Sequence, residues 1–343
     1  MLKKILAASL AALMIFAVGC SDNVVYDDLS DYSTETEDTQ NTSDKAVNPL
    51  TGVADLDDAK KANQRPVAIM VNNVNVAQSR QTGLSDADII YETEVEGGIT
   101  RLMAVYQDIS NLDKIGTVRS ARYPYVDLAL GHDAIYVHCG QDPTYCAPHL
   151  KDIDDLSIDT NSQGAKRISN GLSSEHTLYA IAGDLWKNIE KSFDTKAQST
   201  KPWVNFTDKA LTLDGGSATT VSVPFPAMKT NFTYDAQSGL YTRLSGDTVL
   251  TDYYTKETTQ VKNVFILLTS ISNYPDGKHR KVELSSGDGY YITNGTVQFI
   301  KWFKGSSKNG FKFTDTNGAE IEVSAGNSWV CIANKSTCKP VIQ

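Results

Sequence analysis

The sequence has no excess of positive charge, no long apolar run beyond its N-terminus and only 10 prolines in 343 residues. Its formal net charge of -9 argues against a basic nucleic-acid-binding surface. No later segment approaches the roughly 18 consecutive apolar residues of a membrane-spanning helix, which excludes a protein with several membrane spans. With 41% hydrophobic residues the chain is not disordered either, and its length is typical of two globular domains.

The sequence also lacks the short motifs of several large enzyme classes. It contains no Gly-x-Ser-x-Gly, no His-Glu-x-x-His, no P-loop and no dinucleotide-binding glycine fingerprint. It shows no internal repeats and no coiled-coil heptads. No cofactor and no metal ion is therefore predicted, and a non-enzymatic role is favoured without being decided.

The N-terminus, in contrast, contains a signal for export. Lys3 and Lys4 precede an apolar run over residues 5–18, which ends at Gly19-Cys20. This ending resembles a bacterial lipobox, in which Cys20 receives a lipid such as palmitate and becomes the mature N-terminus. An ordinary secretory signal with a chance cysteine is the alternative. Residues 1–19 are thus predicted to be a lipoprotein signal peptide, and the protein to be extracytoplasmic and attached to the membrane by a lipid anchor.

A tether is predicted to follow, from the lipidated Cys20 to residue 48. Residues 21–48 hold eight acidic side chains and one lysine, whereas residues 49–343 are nearly balanced, with 29 basic and 33 acidic side chains. The segment is rich in Ser, Thr, Asp and Asn and cannot bury enough apolar surface to fold. The predicted partners are the membrane, through the anchor, and envelope proteins or cell-wall components, with no nucleic acid.

Two different patterns follow the tether. Up to about residue 197, strand-like runs at residues 66–71 and 134–137 alternate with helical patterns at residues 120–130 and 177–193. Beyond it the helical period is absent, and short strand patterns recur between Asn-Gly, Asp-Gly and Ser-Gly turns. The prediction is an α+β fold. It has an N-terminal mixed α/β layer domain over residues 49–197 and a β-rich, mostly antiparallel domain over residues 198–343.

Four cysteines of the folded part form two pairs with the same spacing: Cys139 and Cys146, and Cys331 and Cys338. In an exported chain such an even set favours a disulfide within each pair. A zinc site is the alternative for the first pair, because His138 and His149 flank it. Its spacing is not that of a zinc knuckle or ribbon, so disulfides are preferred.

Charged residues concentrate around Gly97-Gly98. A diglycine between two strand patterns predicts a two-residue hairpin loop, which pairs Glu94 with Arg101. Because side chains alternate along a strand, Glu92 and Glu96 then share the face of Arg101. This face is either a solvated surface with an ion pair or the lining of a site.

Two arginines, Arg119 and Arg122, lie at the predicted start of the helix at residues 120–130, with Ser120 as its N-cap. Backbone N–H groups and guanidinium groups at such a place favour a carboxylate or a phosphate. The alternative is that the arginines hold glutamates of the same protein, such as Glu92 or Glu96.

Two histidines are placed where clefts of layered domains often open. His138 ends the strand at residues 134–137, and His176 precedes the pattern at residues 177–193. With a neighbouring carboxylate, either histidine is suited to general acid or base chemistry. A structural, hydrogen-bonded histidine is the alternative for both.

At these residues the sequence resembles the YerB-like bacterial lipoproteins, a family of unknown function with an N-terminal and a C-terminal domain. The segments that carry the resemblance are residues 65–73, 87–92, 96–101, 116–122, 133–138 and 176–179, with residues 300–302 and 325–330 in the second domain. The resemblance implies a membrane-anchored envelope protein of two domains. It implies no catalytic residues.

One site in the first domain is predicted to gather seven side chains: Glu92, Glu96, Arg101, Arg119, Arg122, His138 and His176. The favoured hypothesis is a binding module of the cell envelope that holds an acidic ligand or a protein there. One alternative is a cell-wall-active hydrolase or transferase that uses Glu92 or Glu96 with His138 or His176. The other is a structural scaffold for envelope proteins.

Overall fold

The computed structural model describes residues 45–159, 163–199 and 201–343, so the predicted signal peptide, Cys20 and nearly all of the tether lie outside the described residues. In chain order the strands are β1 (Ala46–Val47), β2 (Ala54–Leu56), β3 (Val67–Asn72), β4 (Ile89–Glu94), β5 (Thr100–Tyr106), β6 (Lys114–Gly116), β7 (Ile135–His138), β8 (Asp155–Ser157), β9 (Ala165–Arg167), β10 (Leu178–Ile181), β11 (Phe206–Thr207), β12 (Thr220–Phe225), β13 (Met228–Asp235), β14 (Leu240–Ser245), β15 (Thr248–Val249), β16 (Gln260–Val261), β17 (Asn263–Thr269), β18 (Ile271–Asn273), β19 (Arg280–Val282), β20 (Ser286–Thr293), β21 (Thr296–Phe303), β22 (Lys312–Thr314), β23 (Val323–Ser324), β24 (Ser328–Asn334) and β25 (Val341–Ile342). The helices are α1 (Ala59–Ala62), α2 (Asn75–Gln78), α3 (Tyr123–Leu130), α4 (Ala147–Leu150) and α5 (Ala182–Ser192), with 3-10 helices at Glu96–Gly98 and Ser174–His176. Within these described ranges no helix is long and apolar enough to cross a membrane.

A ten-stranded sheet forms the centre of the fold, in the order β22-β21-β20-β17-β24-β4-β5-β3-β7-β8. Its first five strands come from residues 263–334, and the other five come from residues 67–157. The two sets meet at the parallel pair of β4 and β24, where Thr93 lies opposite Ile332. The two predicted regions of the chain are therefore joined through one sheet.

The sequence of β3 shows why the sheet is covered on both faces. All six residues of this strand are buried, and a continuous apolar run is typical of a strand with a layer on either side. Val67, Ile69 and Val71 point into one hydrophobic cluster, here called the first core. Ala68 and Met70 point into another on the opposite face, here called the second core.

Different elements cover the two cores. The first core lies between the main sheet and a mostly antiparallel second sheet, in the order β15-β14-β13-β12-β25 with β16 beside β14. The small sheet β6-β10-β9 and helix α5 close the same side. The second core lies between the main sheet and α3, which contributes Tyr125 and Leu128. The α+β character and the β-rich, mostly antiparallel second half are thus confirmed.

Two element boundaries differ from the prediction. The pattern at residues 177–193 is not one helix, since Leu178–Ile181 forms β10 and α5 begins only at Ala182. Pairing of β10 with both β6 and β9 outweighs the local helical periodicity. The end of the predicted tether also belongs to the folded part. Ala46–Val47 forms β1, and the Asn48 side chain donates to Asp88 at 2.8 Å.

The structure describes Cys139, Cys146, Cys331 and Cys338 as free thiols, not as the predicted disulfides. Cys139 packs against the first core and Cys146 lies in the second, so the main sheet separates this pair. Cys331 and Cys338 share the first core and are unbonded there. Burial raises the pKa of the Cys338 thiol to about 11. The described residues hold no group of three metal-ligating side chains arranged for a metal ion.

Candidate functional site

The turn between β4 and β5 is a three-residue loop, one residue longer than predicted. The backbone N–H of Val95 donates to the Ile99 carbonyl at 2.8 Å, and Glu96–Gly98 forms the turn between them. Gly97 and Gly98 have φ of 69° and 73°, in the left-handed region that favours glycine. Both glycines serve the turn, as the sequence suggested, but in a longer loop.

The longer loop shifts the pairing register by one residue. Thr93 lies opposite Arg101, and Glu92 lies opposite Leu102. Because a shift of one residue exchanges the two faces of a strand, Arg101 lies on the opposite face from Glu92. The prediction that three glutamates and Arg101 share one face of the sheet is therefore wrong.

Glu92 lies in the interior with no exposed surface. Its carboxylate accepts hydrogen bonds from Asn73 Nδ2 at 3.0 Å, Thr100 Oγ1 at 2.8 Å, Thr230 Oγ1 at 2.9 Å and Trp329 Nε1 at 3.0 Å. The Thr230 hydroxyl also accepts from the buried Arg243 at 3.1 Å. Burial lowers the pKa of Arg243, and the charge of Glu92 opposes this. Glu92 is thus part of an internal network that joins the main sheet to the second sheet.

A groove of about 590 Å³ opens where the β4–β5 loop meets the hairpin of β18 and β19. Glu96 lies on one wall beside Arg122, the N-cap residue of α3, and His279 and Arg280 lie on the other. Its volume is in the range of small-molecule binding sites. This groove is the candidate functional site, and both halves of the chain build it.

Arg122 and Glu96 form an ion pair on the groove wall, with Arg122 Nε donating to Glu96 Oε1. Arg122 Nη1 donates to the Ala121 carbonyl at 2.8 Å. Burial acts to raise the pKa of Glu96, but the hydrogen bond and charge of Arg122 hold it below its ordinary value. Glu96 therefore brings a fixed negative charge to the groove.

His279 stands among three carboxylates. Its Nδ1 lies 2.5 Å from Asp276 Oδ2, and its Nε2 lies 3.2 Å from Asp142 Oδ1 and 3.3 Å from Glu96 Oε1. Backbone N–H groups of the following turn hold the pKa of Asp142 low despite its burial, and the His279 side chain lowers the pKa of Asp276 to about 2. Both ring nitrogens of His279 therefore face carboxylate oxygens.

A small pocket that shares Glu96, Arg122, His279 and Arg280 with the groove, here called its inner end, holds a buried carboxylate. The Glu94 side chain is 2% exposed and lies 3.5 Å from Arg280 Nη2. Arg280 Nη1 donates to Asn273 Oδ1 at 2.6 Å, so its stronger contact is elsewhere. Burial raises the pKa of Glu94, and the charge of Arg280 only partly opposes this.

Three tyrosines complete this inner end: Tyr123, Tyr145 and Tyr274. The rings of Tyr145 and Tyr274 stack with their centroids 3.9 Å apart and their planes at 14°. The pocket between these rings and the carboxylates has about 10 Å³ of free space, enough for one group of the size of a water molecule.

Arg119 and His176 form a separate pair around Glu175. Arg119 Nη2 lies 3.4 Å from Glu175 Oε2, and His176 Nε2 lies 3.5 Å from Glu175 Oε1. His176 Nδ1 also lies 2.8 Å from Asn72 Nδ2. Neither Arg119 nor His176 lines the groove.

Arg101 is close to the groove but buried behind it. Its guanidinium donates to the Ser120 carbonyl at 2.5 Å, and the residue is 7% exposed. Burial, with the nearby charges of Arg122 and Arg119, lowers the pKa of Arg101 to about 10. The predicted N-cap role of Ser120 is wrong, because α3 begins at Tyr123 and its N-cap residue is Arg122.

His138 is a structural histidine. It has no exposed surface, and its ring nitrogens lie 2.9 Å from the Gly140 carbonyl and 2.9 Å from Asp155 Oδ2 on the neighbouring strand β8. Among the described contacts, those of Glu92 and Glu96 include neither His138 nor His176. The residue pairs named for a hydrolase or transferase are therefore not formed.

The single predicted site is thus divided. Glu96, Arg122 and Arg101 lie together at the groove, Arg119 pairs with Glu175 beside His176, and Glu92 and His138 belong to the interior. The predicted set of seven does not contain five residues that lie in the groove or contact its lining: Glu94, Asp142, Asp276, His279 and Arg280. Turn dipeptides at residues 142–143 and 276–277 mark two loop tips, but nothing in the sequence indicates that the two tips meet.

Two models of one protein family match this chain. Protein of unknown function (DUF3048), N-terminal domain, matches residues 50–198, and the C-terminal domain of the same family matches residues 221–330. The chain belongs to the DUF3048 family. The groove takes Glu96 and Arg122 from the first DUF3048 region and His279 and Arg280 from the second.

A curated relative and a solved structure agree with this DUF3048 membership. The chain is 29% identical over 308 residues to Putative lipoprotein YerB of Bacillus subtilis (strain 168), which covers 85% of this chain and 87% of that protein. It is also similar to the crystal structure of YerB protein from Bacillus subtilis, with a TM-score of 0.71 and 28% identity, over 87% of this chain and 99% of that chain. The resemblance to YerB-like lipoproteins is thereby confirmed.

Proposed function

We propose that this protein is an extracytoplasmic lipoprotein whose groove binds an acidic ligand of the cell envelope. The lipobox-like residues before Cys20 support the lipid anchor, as does the name of the Bacillus subtilis relative, a putative lipoprotein. The groove supports the binding role. A peptide-bearing wall polymer or the end of an envelope protein has the required carboxylate.

The position of Arg122 is the main support for the proposed binding role. Its side chain is 18% exposed, lines the groove and contacts Glu96 and the Ala121 carbonyl, so part of the guanidinium faces the groove. Lys278 and Arg280 add positive charge on the opposite wall. A guanidinium binds a carboxylate through two parallel hydrogen bonds, which favours an acidic ligand here.

Calorimetry with the full-length protein in detergent tests this role. The probe is acetyl-Ala-Ala-Ala with a free carboxylate, and its C-terminal amide is the reference ligand. We expect the carboxylate form to bind more tightly and Arg122→Ala to weaken its binding by about tenfold or more. Arg167→Ala is the matched control, because Arg167 pairs with Asp159 outside the groove. Equal binding of the acid and the amide would contradict the proposal.

Mass spectrometry of the mature N-terminus tests the anchor. We expect the chain to begin at a lipidated Cys20, and Cys20→Ala to move the protein from the membrane fraction to the soluble fraction. An unmodified N-terminus at any other residue contradicts the anchor and leaves the groove proposal in place.

A further inference from the structure

We infer that the inner end of the groove is a subsite for an ammonium group, with Glu94 as its recognition residue. The inference rests on the proposed function and narrows its ligand to a short peptide that carries both an ammonium and a carboxylate. The ammonium enters the pocket beside Glu94, while the carboxylate meets Arg122 in the wider part of the groove.

Glu94 is a carboxylate without enough donors. An ionised carboxylate has about four acceptor positions, yet the only ion pair or hydrogen bond of this side chain among the described residues is the ion pair with Arg280 at 3.5 Å. Arg280 directs its 2.6 Å hydrogen bond to Asn273 instead. A buried charge in this state is unfavourable until a hydrogen-bond donor reaches it. An ammonium supplies three N–H donors and the opposite charge.

The pocket fits an ammonium in size and in its walls. Its free space of about 10 Å³ accepts one group of the size of a water molecule, which matches a primary ammonium and is too small for a guanidinium. The Tyr145 and Tyr274 rings, which stack on each other, form an aromatic part of its wall. Glu96 and Asp142 add two further carboxylates, each with its pKa held low, and both also contact His279 Nε2.

The ion pairs of the groove explain why a purely anionic ligand is incomplete. A carboxylate that takes Arg122 away from Glu96 leaves Glu96 with less compensation for its charge, which is costly in a partly buried site. A ligand that also brings an ammonium restores the balance. Its cation lies beside Glu94, Glu96 and Asp142, in a pocket that Arg122, His279 and Arg280 also line. A ligand with both groups therefore replaces the ion pair of Arg122 and Glu96 by new ion pairs, and no charged group is left unpaired.

The test compares Ala-Ala-Ala, which has a free amine, with acetyl-Ala-Ala-Ala, whose amine is blocked. Both are titrated into the full-length wild-type protein and into the nearly isosteric Glu94→Gln variant. We expect the free-amine peptide to bind the wild type about tenfold more tightly than the acetylated one. In Glu94→Gln this ratio falls to about one, and the affinity for the acetylated peptide is retained. Glu283→Gln is the matched control, because Glu283 pairs with Lys281 and does not line the groove.

The other outcomes separate the two proposals. Equal affinities of the wild type for both peptides overturn the ammonium subsite and leave the acidic-ligand proposal standing. A preference for the free amine that persists in Glu94→Gln overturns the assignment to Glu94. If neither peptide binds the wild type, the proposed function fails and the inference fails with it. The ratio of the two peptide affinities is measured on the wild type alone, so the ammonium subsite can be tested even if Glu94→Gln does not fold.

Discussion

Glu92 and Arg243 are opposite charges without exposed surface, bridged by the Thr230 hydroxyl. Glu92→Gln removes only the negative charge, so Arg243 stays buried with less compensation. Loss of one partner of a buried charge pair costs about 3–5 kcal/mol, and we expect a loss in this range in urea unfolding. Glu190→Gln is the control, since Glu190 is exposed on α5. A loss below about 0.5 kcal/mol would show that this network contributes little to stability.

A double variant separates the charge interaction from the other contacts of the network. Arg243→Met removes the cation and keeps an unbranched apolar side chain next to the Phe232 and Trp329 rings. We expect Glu92→Gln with Arg243→Met to be less destabilised than the sum of the single changes, because no charge is left unpaired. Additive losses contradict a direct coupling between the two charges.

Lys304 provides a pH-dependent test at a second buried charge. The residue is 3% exposed, and its Nζ donates to the carbonyls of Ser306 at 3.1 Å and Ser307 at 2.5 Å. Burial lowers its pKa to about 8, although Asp127 opposes this. Between that value and the ordinary lysine pKa of about 10.4, the unfolded chain binds the proton that the folded chain has released. The contribution of Lys304 to the free energy of unfolding therefore rises with pH between these two values and is constant at lower pH.

The measurement is the difference in unfolding free energy between the wild type and Lys304→Met, in urea at several pH values. We expect the difference to move in favour of the wild type as the pH rises from about 8 to 10, and to be flat from about 6 to 7.5. Lys301→Met, at an exposed position of β21, is the matched control. A difference that does not change with pH contradicts the cost assigned to burial of this ammonium.

At the scale of elements, the β4–β5 loop offers a pair of comparable glycines. Gly97 and Gly98 both have positive φ, but a Cβ at Gly98 would lie 2.8 Å from Pro226 Cβ, whereas nothing lies within 4 Å of one at Gly97. Gly97→Ala is expected to cost about 1 kcal/mol from backbone strain alone. Gly98→Ala is expected to cost more, because the loop must also move away from the second sheet. Urea unfolding of the two variants checks the order, and equal losses contradict it.

The same loop shows which element-level features the sequence could predict. The apolar run of β3 and the turn at the two glycines could be predicted from the sequence, because both depend on residues adjacent in the chain. The length of the loop could not be predicted, because two-residue and three-residue loops use the same glycines. The loop length determines on which face of the sheet Arg101 lies. Likewise, the helical spacing at residues 178–181 could not reveal that β6 and β9 pair with this segment on both sides.

At the scale of the whole molecule, the shared sheet predicts one cooperative unit over the described residues. We propose that residues 49–197 and 198–343, expected from the sequence as two domains, unfold together because β4 and β24 are neighbours in the sheet. Hydrogen exchange followed by mass spectrometry is expected to give similar opening free energies for β3 to β5 and for β17 to β24. Two well-separated values contradict this and identify two independently stable domains.

The groove shows why half of the site could not be predicted. Glu96 and Arg122 stood out because each lies in a charged or turn-forming segment of the first region. His279 and Asp142 are ordinary polar residues within their own segments, and their contact exists only because the β18–β19 hairpin reaches the loop at residues 140–146. A single sequence does not show that this hairpin and this loop lie close together, because their positions depend on strand pairing across the whole main sheet.

The pairing of β4 with β24 has a consequence for how the protein is made. Thr93 donates to the Ile332 carbonyl across 239 residues of chain. At typical rates of about 5–20 residues per second, synthesis of that stretch takes roughly 10–50 s, and β4 has no partner on this side in the meantime. An unpaired strand edge is a place where chains associate wrongly. Under the export proposed above, the chain crosses the membrane unfolded and the sheet closes on the far side, which avoids this hazard during synthesis.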